Sequence, residues 1–237
     1  MPSSFYQLVI DCRDPHALAR FWAAVLEQPI LYETEDEVIV GADKHTYPGL
    51  VFGTAPEGKT VKNRLHIDLD PDDQAAEVER LLALGARPAD VGQADDVPWV
   101  VLADPEGNEF CLIEPHNRFL AGCPRLGAVN CDGTRALGYF FSHALGWPLV
   151  WDQEEETAIQ APDGTGPKIT WSGPPLRPKS GKERFHLHTA PTADAGTRAA
   201  LDHLLVIGAT RVEGGHGCRG AIALADLDGN EFCLVEP

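Results

Sequence analysis

The sequence predicts an α+β protein built from two tandem copies of one domain. Two echoes carry this. Residues 107–115 read Gly-Asn-Glu-Phe-Cys-Leu-Ile-Glu-Pro and residues 229–237 read Gly-Asn-Glu-Phe-Cys-Leu-Val-Glu-Pro, eight of nine positions alike at an offset of 122. Upstream, Ala17-Leu18, Phe21 and Leu26 answer Ala136-Leu137, Phe140 and Leu145 at an offset of 119, and Arg64-x-His66 answers Arg184-x-His186 at 120. Offsets that hold across half a chain mark a duplicated domain. The 237 residues divide into domains 1–117 and 125–237, joined through the stretch around 116–124. Both are of ordinary domain size.

Each half reads as strand, helix and strands, twice over. Tyr6 to Cys12 is rich in β-branched and apolar residues, a strand signature. Asp14-Pro15 then starts a helix, since Asp is a good N-cap and Pro suits the first helical position. Leu18, Phe21, Trp22, Val25 and Leu26 give that helix its apolar face. Val38–Val40, Leu50–Gly53 and Leu65–Asp70 follow as strands. Pro71 opens a second helix, with Val78, Leu81 and Leu82 on one face and Gly85 as terminator. Trp99–Ala103 and Glu109–Glu114 are strands joined by the turn Asp104-Pro105-Glu106-Gly107-Asn108. In the second half, Leu126–Cys131 is a strand and Thr134–Leu145 a helix. Phe185–Thr189 is a strand, Thr192 caps a helix that stops at Gly208, and Glu231–Glu236 closes the chain. Residues 172–183 form the longest irregular stretch, an exposed insertion.

Composition narrows the function classes. The net charge of −17 repels nucleic-acid phosphates. Residues 1–118 hold 22 acids and 9 bases, a net of −13, and residues 119–237 hold 14 acids and 10 bases, a net of −4. The first half therefore suits a cationic ligand. No stretch reaches the length of about 20 apolar residues that a membrane span needs. The N-terminus has no basic region and no apolar signal core, which predicts a cytoplasmic protein. Six cysteines are too scattered for a disulfide scaffold. No phosphate loop, dinucleotide fingerprint or nucleophile elbow is present.

The residues just described resemble the vicinal-oxygen-chelate superfamily, the glyoxalase/bleomycin-resistance/dioxygenase group, and within it the glyoxalase-like branch. The carriers are Gln7–Leu26, His66-Ile67-Asp68, Leu84-Gly85-Ala86 and Asp104-Pro-Glu-Gly-Asn108-Glu-Phe. Ala136–Leu145, His186-Leu187-His188, Ile207-Gly208-Ala209 and Asp226-Leu-Asp-Gly-Asn230-Glu-Phe answer them. The resemblance implies βαβββ modules, paired two per domain into a cupped mixed sheet of eight strands. The cup holds the site.

Metal-dependent members place His or Gln on the first strand, His on the strand opening the second module, and Glu on the last strand. The resemblance carries these roles to Gln7, His66 and Cys111 in the first half, and to Leu126, His186 and Cys233 in the second. The carboxylate position is cysteine in both copies, so the expectation is that no metal binds. If a divalent metal does bind, the candidate ligands are Gln7, His66 and Cys111, or His186, His188 and Cys233, with His216 of the loop Gly214-Gly215-His216-Gly217-Cys218 able to close the second set.

Strand alternation puts Asp11 on the face of Gln7, and Asp68 and Asp70 on the face of His66. Asp70 to Asp73 also read as the cap of the next helix. The ligand-binding residues predicted for the first cup are Gln7, Asp11, His66, Asp68, Trp99 and Cys111. Trp99, Trp151 and Trp171 could stack on a flat ligand. The favoured reading is a small-molecule-binding protein of the glyoxalase/bleomycin-resistance type for a secondary metabolite or drug, acting as monomer or homodimer without a cofactor. The alternatives are a metal-dependent isomerase, lyase or dioxygenase with an altered ligand set, and a metal-independent enzyme using His66 and Asp68 as acid and base. The first half is expected to be the working site.

Overall fold

Four βαβββ modules follow one another in a computed structural model that describes residues 1–41, 49–94, 96–180, 183–213 and 220–236. Module 1 comprises β1 (Ser3–Cys12), α1 (Pro15–Leu26), β2 (Ile30–Glu33), β3 (Glu37–Val40) and β4 (Gly49–Thr54). Module 2 comprises β5 (Leu65–Leu69), α2 (Gln74–Leu84), β6 (Arg87–Pro88), β7 (Val100–Ala103) and β8 (Glu109–Leu112). Module 3 comprises β9 (Leu126–Cys131), α3 (Arg135–Leu145), β10 (Leu149–Gln153), β11 (Glu156–Ile159) and β12 (Lys168–Trp171). Module 4 comprises β13 (Phe185–Pro191), α4 (Thr197–Val206), β14 (Thr210–Arg211), β15 (Ile222–Ala225) and β16 (Glu231–Leu234). The α+β class and the module order are as expected. The edge strands β2, β6, β10 and β14 are not among the strands read from the sequence.

The helices begin where side chains or neighbouring loops can take their free N–H groups. Asp14 caps α1 by accepting from Ala17 N at 2.9 Å, and Asp73 caps α2 by accepting from Ala76 N at 3.1 Å. The second helix thus starts three residues beyond Pro71. Helix α4 is capped by Gly196 and not by Thr192. Pro191 ends β13, and the Thr192 carbonyl then accepts from Ala195 N at 2.8 Å in a separate turn. Among the described residues, no helix is long and apolar enough to cross a membrane.

Two mixed eight-stranded sheets form, but each draws one module from each half. One sheet, the 1–4 cup, joins modules 1 and 4 in the order β14-β15-β16-β13-β1-β4-β3-β2. The other, the 2–3 cup, joins modules 2 and 3 in the order β10-β11-β12-β9-β5-β8-β7-β6. The seams are antiparallel. Gln7 lies opposite His188 and Val9 opposite His186, while His66 lies opposite Asn130 and Asp68 opposite Ala128.

Alternation along each strand sorts side chains between core and cup. Leu8, Ile10, Leu50, Phe52, Leu65, Ile67, Phe110, Leu112, Phe185, Leu187, Phe232 and Leu234 all join one continuous core that serves both sheets. Trp171 is part of this core, stacked on Phe141 with centroids 5.1 Å apart, so it is closed to ligand. Polar ties also cross between the sheets. Arg184 Nη2 of module 4 lies 2.5 Å from Glu106 Oε2 of module 2, with Arg184 buried and Glu106 half-buried. Glu106 in turn accepts from Arg13 N and Asp14 N at the start of α1.

Candidate functional site

The seam of modules 1 and 4 opens onto a cavity of about 840 Å³. Strand β1 supplies Gln7, Val9 and Asp11, strand β4 supplies Val51 and Gly53, and strand β13 supplies His188. His186 lies behind them, with Nε2 3.4 Å from Asp11 Oδ2 and both residues buried. Cys233 on β16 is the register partner of His188. The rim adds Asp36, Glu37, Glu57 and Glu236, none of them marked by the sequence reading. Glu236 accepts from the Thr197 hydroxyl at 2.5 Å. The cavity's described lining thus holds five carboxylates and one histidine, and neither lysine nor arginine.

The 2–3 cup has different contents. His66 Nε2 stands 3.2 Å from Asp68 Oδ1, and the His66 ring keeps 21% of its side-chain surface open against 6% for Asp68. Asn130 Nδ2 donates to Asp68 Oδ2 at 3.4 Å. Cys111 is the register partner of Asp68 on the neighbouring parallel strand. Burial opposes charge on His66, but the Asp68 carboxylate and a hydrogen bond with Cys111 outweigh it and lift the ring to about 10. Burial pushes the Cys111 thiol up, against the pull of His66. Glu156 enters from β11. Burial raises its carboxyl, the charge of Asp68 adds to the rise, and hydrogen bonds with Thr170 and Trp151 oppose it. Trp151 itself packs edge-on against Phe119, centroids 5.3 Å apart.

The six residues expected in one cup therefore lie in two. Gln7 and Asp11 line the 1–4 cup, while His66, Asp68 and Cys111 face the 2–3 cup. Trp99 precedes β7, is 39% exposed, and sits two residues before Val101, the partner of Cys111, at the edge of the 2–3 cup. The correction has a simple cause. The four first strands β1, β5, β9 and β13 share one pattern, and the seams that form are β1 with β13 and β5 with β9. Each cup draws its sheet from both halves of the chain.

The metal sets change in the same way. Gln7, His66 and Cys111 are divided between sheets, so they cannot share an ion. His186, His188 and Cys233 do share a sheet, with His186 turned to Asp11. His216 lies outside the described residues. Leu126 has joined the core, at a register shift opposite Leu69. Among the described residues, the group of ligand-type side chains that converges is His66, Asp68 and Cys111, with donor atoms within 4.8 Å of one another. A nitrogen, an oxygen and a sulfur donor fit zinc and its neighbours, and do not fit magnesium, manganese or calcium.

Comparison with known proteins places the chain. The sequence profile of the glyoxalase-like domain matches residues 7–113 and again 128–235, and the chain belongs to that family. The fold is similar to that of glyoxalase I from Zea mays, at 14% identity, 99% of this chain, 92% of that chain and a TM-score of 0.67. A point variant of the maize protein gives 0.70 at 13% identity over 99% and 94% of the two chains. A Bacillus subtilis protein with a dioxygenase assignment gives 0.63 at 12% identity over 98% and 84%. At such identities the likeness is one of fold. No curated protein matches the chain in sequence.

Proposed function

We propose that the protein binds a cationic small molecule, of the size of a drug or secondary metabolite, in the 1–4 cup. One observation carries this reading. The cavity of about 840 Å³ has five carboxylates, Gln7 and His188 among its described lining residues, and neither lysine nor arginine. That volume falls in the usual range for ligand pockets. Carboxylates gathered on a concave wall focus a negative potential and favour a cation entering from water. Val9, Val51, Ala55 and Pro56 give the apolar contact area that such a ligand needs. Gln7, with both donor and acceptor atoms, would fix its orientation. The acidic excess of the first half also supports a cation, with module 4 in place of module 2 as the other wall of the pocket.

The acid–base enzyme reading is weaker. His66 carries its proton to about pH 10 in the grip of Asp68, so its ring is a poor base at neutral pH. The test of the binding reading is a thermal-shift and calorimetric panel of aromatic amines, their quaternised forms and the matching carboxylates. Amines and quaternary ions should raise the melting temperature and carboxylates should not. The double substitution Asp36→Asn/Glu37→Gln should weaken the best amine by about tenfold, while Asp68→Asn leaves it unchanged. Equal response to acids and amines, or loss of binding only on Asp68→Asn, would sink the proposal.

A further inference from the structure

We propose that His66, Asp68 and Cys111 form a zinc-class metal site, carried wholly by module 2 and facing the 2–3 cup. The site goes beyond the ligand-binding reading and lies in the other cup, so each can fail without the other. Three observations support it. The donor atoms of the three side chains lie within 4.8 Å of one another. A tetrahedral zinc with ligands at about 2.0–2.3 Å sets its donors about 3.3–3.8 Å apart, so small rotations of buried side chains close the set. The three residues also stand on adjacent parallel strands, Asp68 beside Cys111 and His66 two places before Asp68 on the same face. Their backbones are thereby fixed before any ion arrives.

The third observation is a surplus of oxygen. Asp68 Oδ1 lies close to His66 Nε2 but is buried without an aligned hydrogen bond, and Asn130 Oδ1 on the strand across the seam is buried without one too. A cation held between His66, Asp68 and Cys111 would satisfy the first, and the second belongs to the residue opposite His66.

The arrangement also departs from what the family resemblance implies. Cysteine stands at position 111 in place of the expected last-strand carboxylate. Asp68 restores a carboxylate from the neighbouring strand. Module 4 does not repeat this, because His188 occupies the place of Asp68 in the register of β13. A thiolate in the set selects borderline ions, zinc or cobalt, over hard ones.

Cobalt is the probe, since a thiolate-to-cobalt charge-transfer band reports the sulfur ligand directly. Protein stripped of metal should take up one cobalt per chain with that band, and equimolar zinc should displace it. Cys111→Ser should abolish the band and weaken cobalt binding by about tenfold or more. Asp68→Asn should keep the band but weaken binding to a similar degree. Cys233→Ser should leave both unchanged. Circular dichroism separates lost binding from lost folding. If Cys111→Ser does not fold, the near-isosteric Asp68→Asn still decides through its affinity. Failure to bind cobalt in equimolar amount, a band that survives Cys111→Ser, or a band that vanishes with Cys233→Ser would overturn the proposal.

Discussion

The 1–4 cup and the 2–3 cup are built from the same strand pattern, yet they gather opposite kinds of chemistry. In the 1–4 cup, His188 stands where the 2–3 cup has Asp68, and the remaining carboxylates spread around an open cavity. In the 2–3 cup, the carboxylate is drawn in against His66 and Cys111, and the polar groups close on one another. The exchange of histidine and aspartate at one register position separates a wide acidic pocket from a compact cluster of three donors. A duplicated scaffold keeps its strands fixed while single side chains change the chemistry of each cup.

The largest expected difference between the two sides lies in their buried arginines. Arg184, just before β13, donates Nε to the Asp11 carbonyl at 2.8 Å and pairs with half-buried Glu106. Arg64, at the matching place before β5, reaches the Asp132 carboxylate only at 3.8 Å, and its Nε has no hydrogen bond. Arg184→Met should cost about 3–5 kcal/mol, because it removes the charged bond to half-buried Glu106 and the bond to the Asp11 carbonyl, leaving Glu106 only the N–H groups of Arg13 and Asp14. Arg64→Met should cost distinctly less. Urea unfolding of the two variants measures the gap, and equal losses would show that the two anchors are equivalent.

A second asymmetry concerns the two matching turns. Asp104 accepts from Trp22 Nε1 at 3.2 Å, besides the donors of its own turn. The residue matching Trp22 is Phe141, which has no donor for Asp226. Burial pushes Asp226 up to about 6 from an ordinary 3.8, against hydrogen bonds from Asn230 and Asp228 N. The folded state then binds a proton that the unfolded state has released. The resulting penalty is absent below about pH 4, grows as pH rises, and is complete above about pH 6, where it amounts to about 3 kcal/mol. Wild-type stability relative to Asp226→Asn should therefore fall by that amount between pH 4 and 6.5. Parallel stability curves for the two proteins would show that Asp226 has an ordinary pKa.

The smallest effect tests the packing behind the sheets. Gly138 on α3 holds the place that Ala19 holds on α1. A Cβ at Gly138 would sit 2.3 Å from Thr157 Oγ1 on β11. Alanine there gains about 1 kcal/mol of helix propensity but meets a clash of about 1–3 kcal/mol. Gly138→Ala should lower stability by about 1 kcal/mol, whereas the usual glycine-to-alanine change in a helix raises it. A higher unfolding midpoint would mean that α3 can lift from β11 at little cost.

The sequence was enough for the duplication, the α+β class, the helix faces and the polar side of each first strand. These depend on spacing along the chain, and spacing survives when contacts are unknown. Strand alternation marked Asp11 and Asp68 as site residues, and the family resemblance marked Gln7, His66 and Cys111. Asp36, Glu37, Glu57 and Glu236 were not, because three of them lie in short strands and turns where alternation runs over too few residues to read. Glu156 was missed because β11 is bounded by turn residues that hide its register.

Only the tertiary structure decided which first strands meet. The four first strands present nearly the same alternation, so the pairing of β1 with β13 and of β5 with β9 cannot be ranked from one chain of letters. That choice depends on the fit of side chains across each seam and on the shared core, which tie together residues as far apart in sequence as Leu8 and Leu234. It moved Gln7 and Asp11 away from His66 and set them beside His186 and His188. With that step the two halves gave way to two cups whose sheets each draw on both halves.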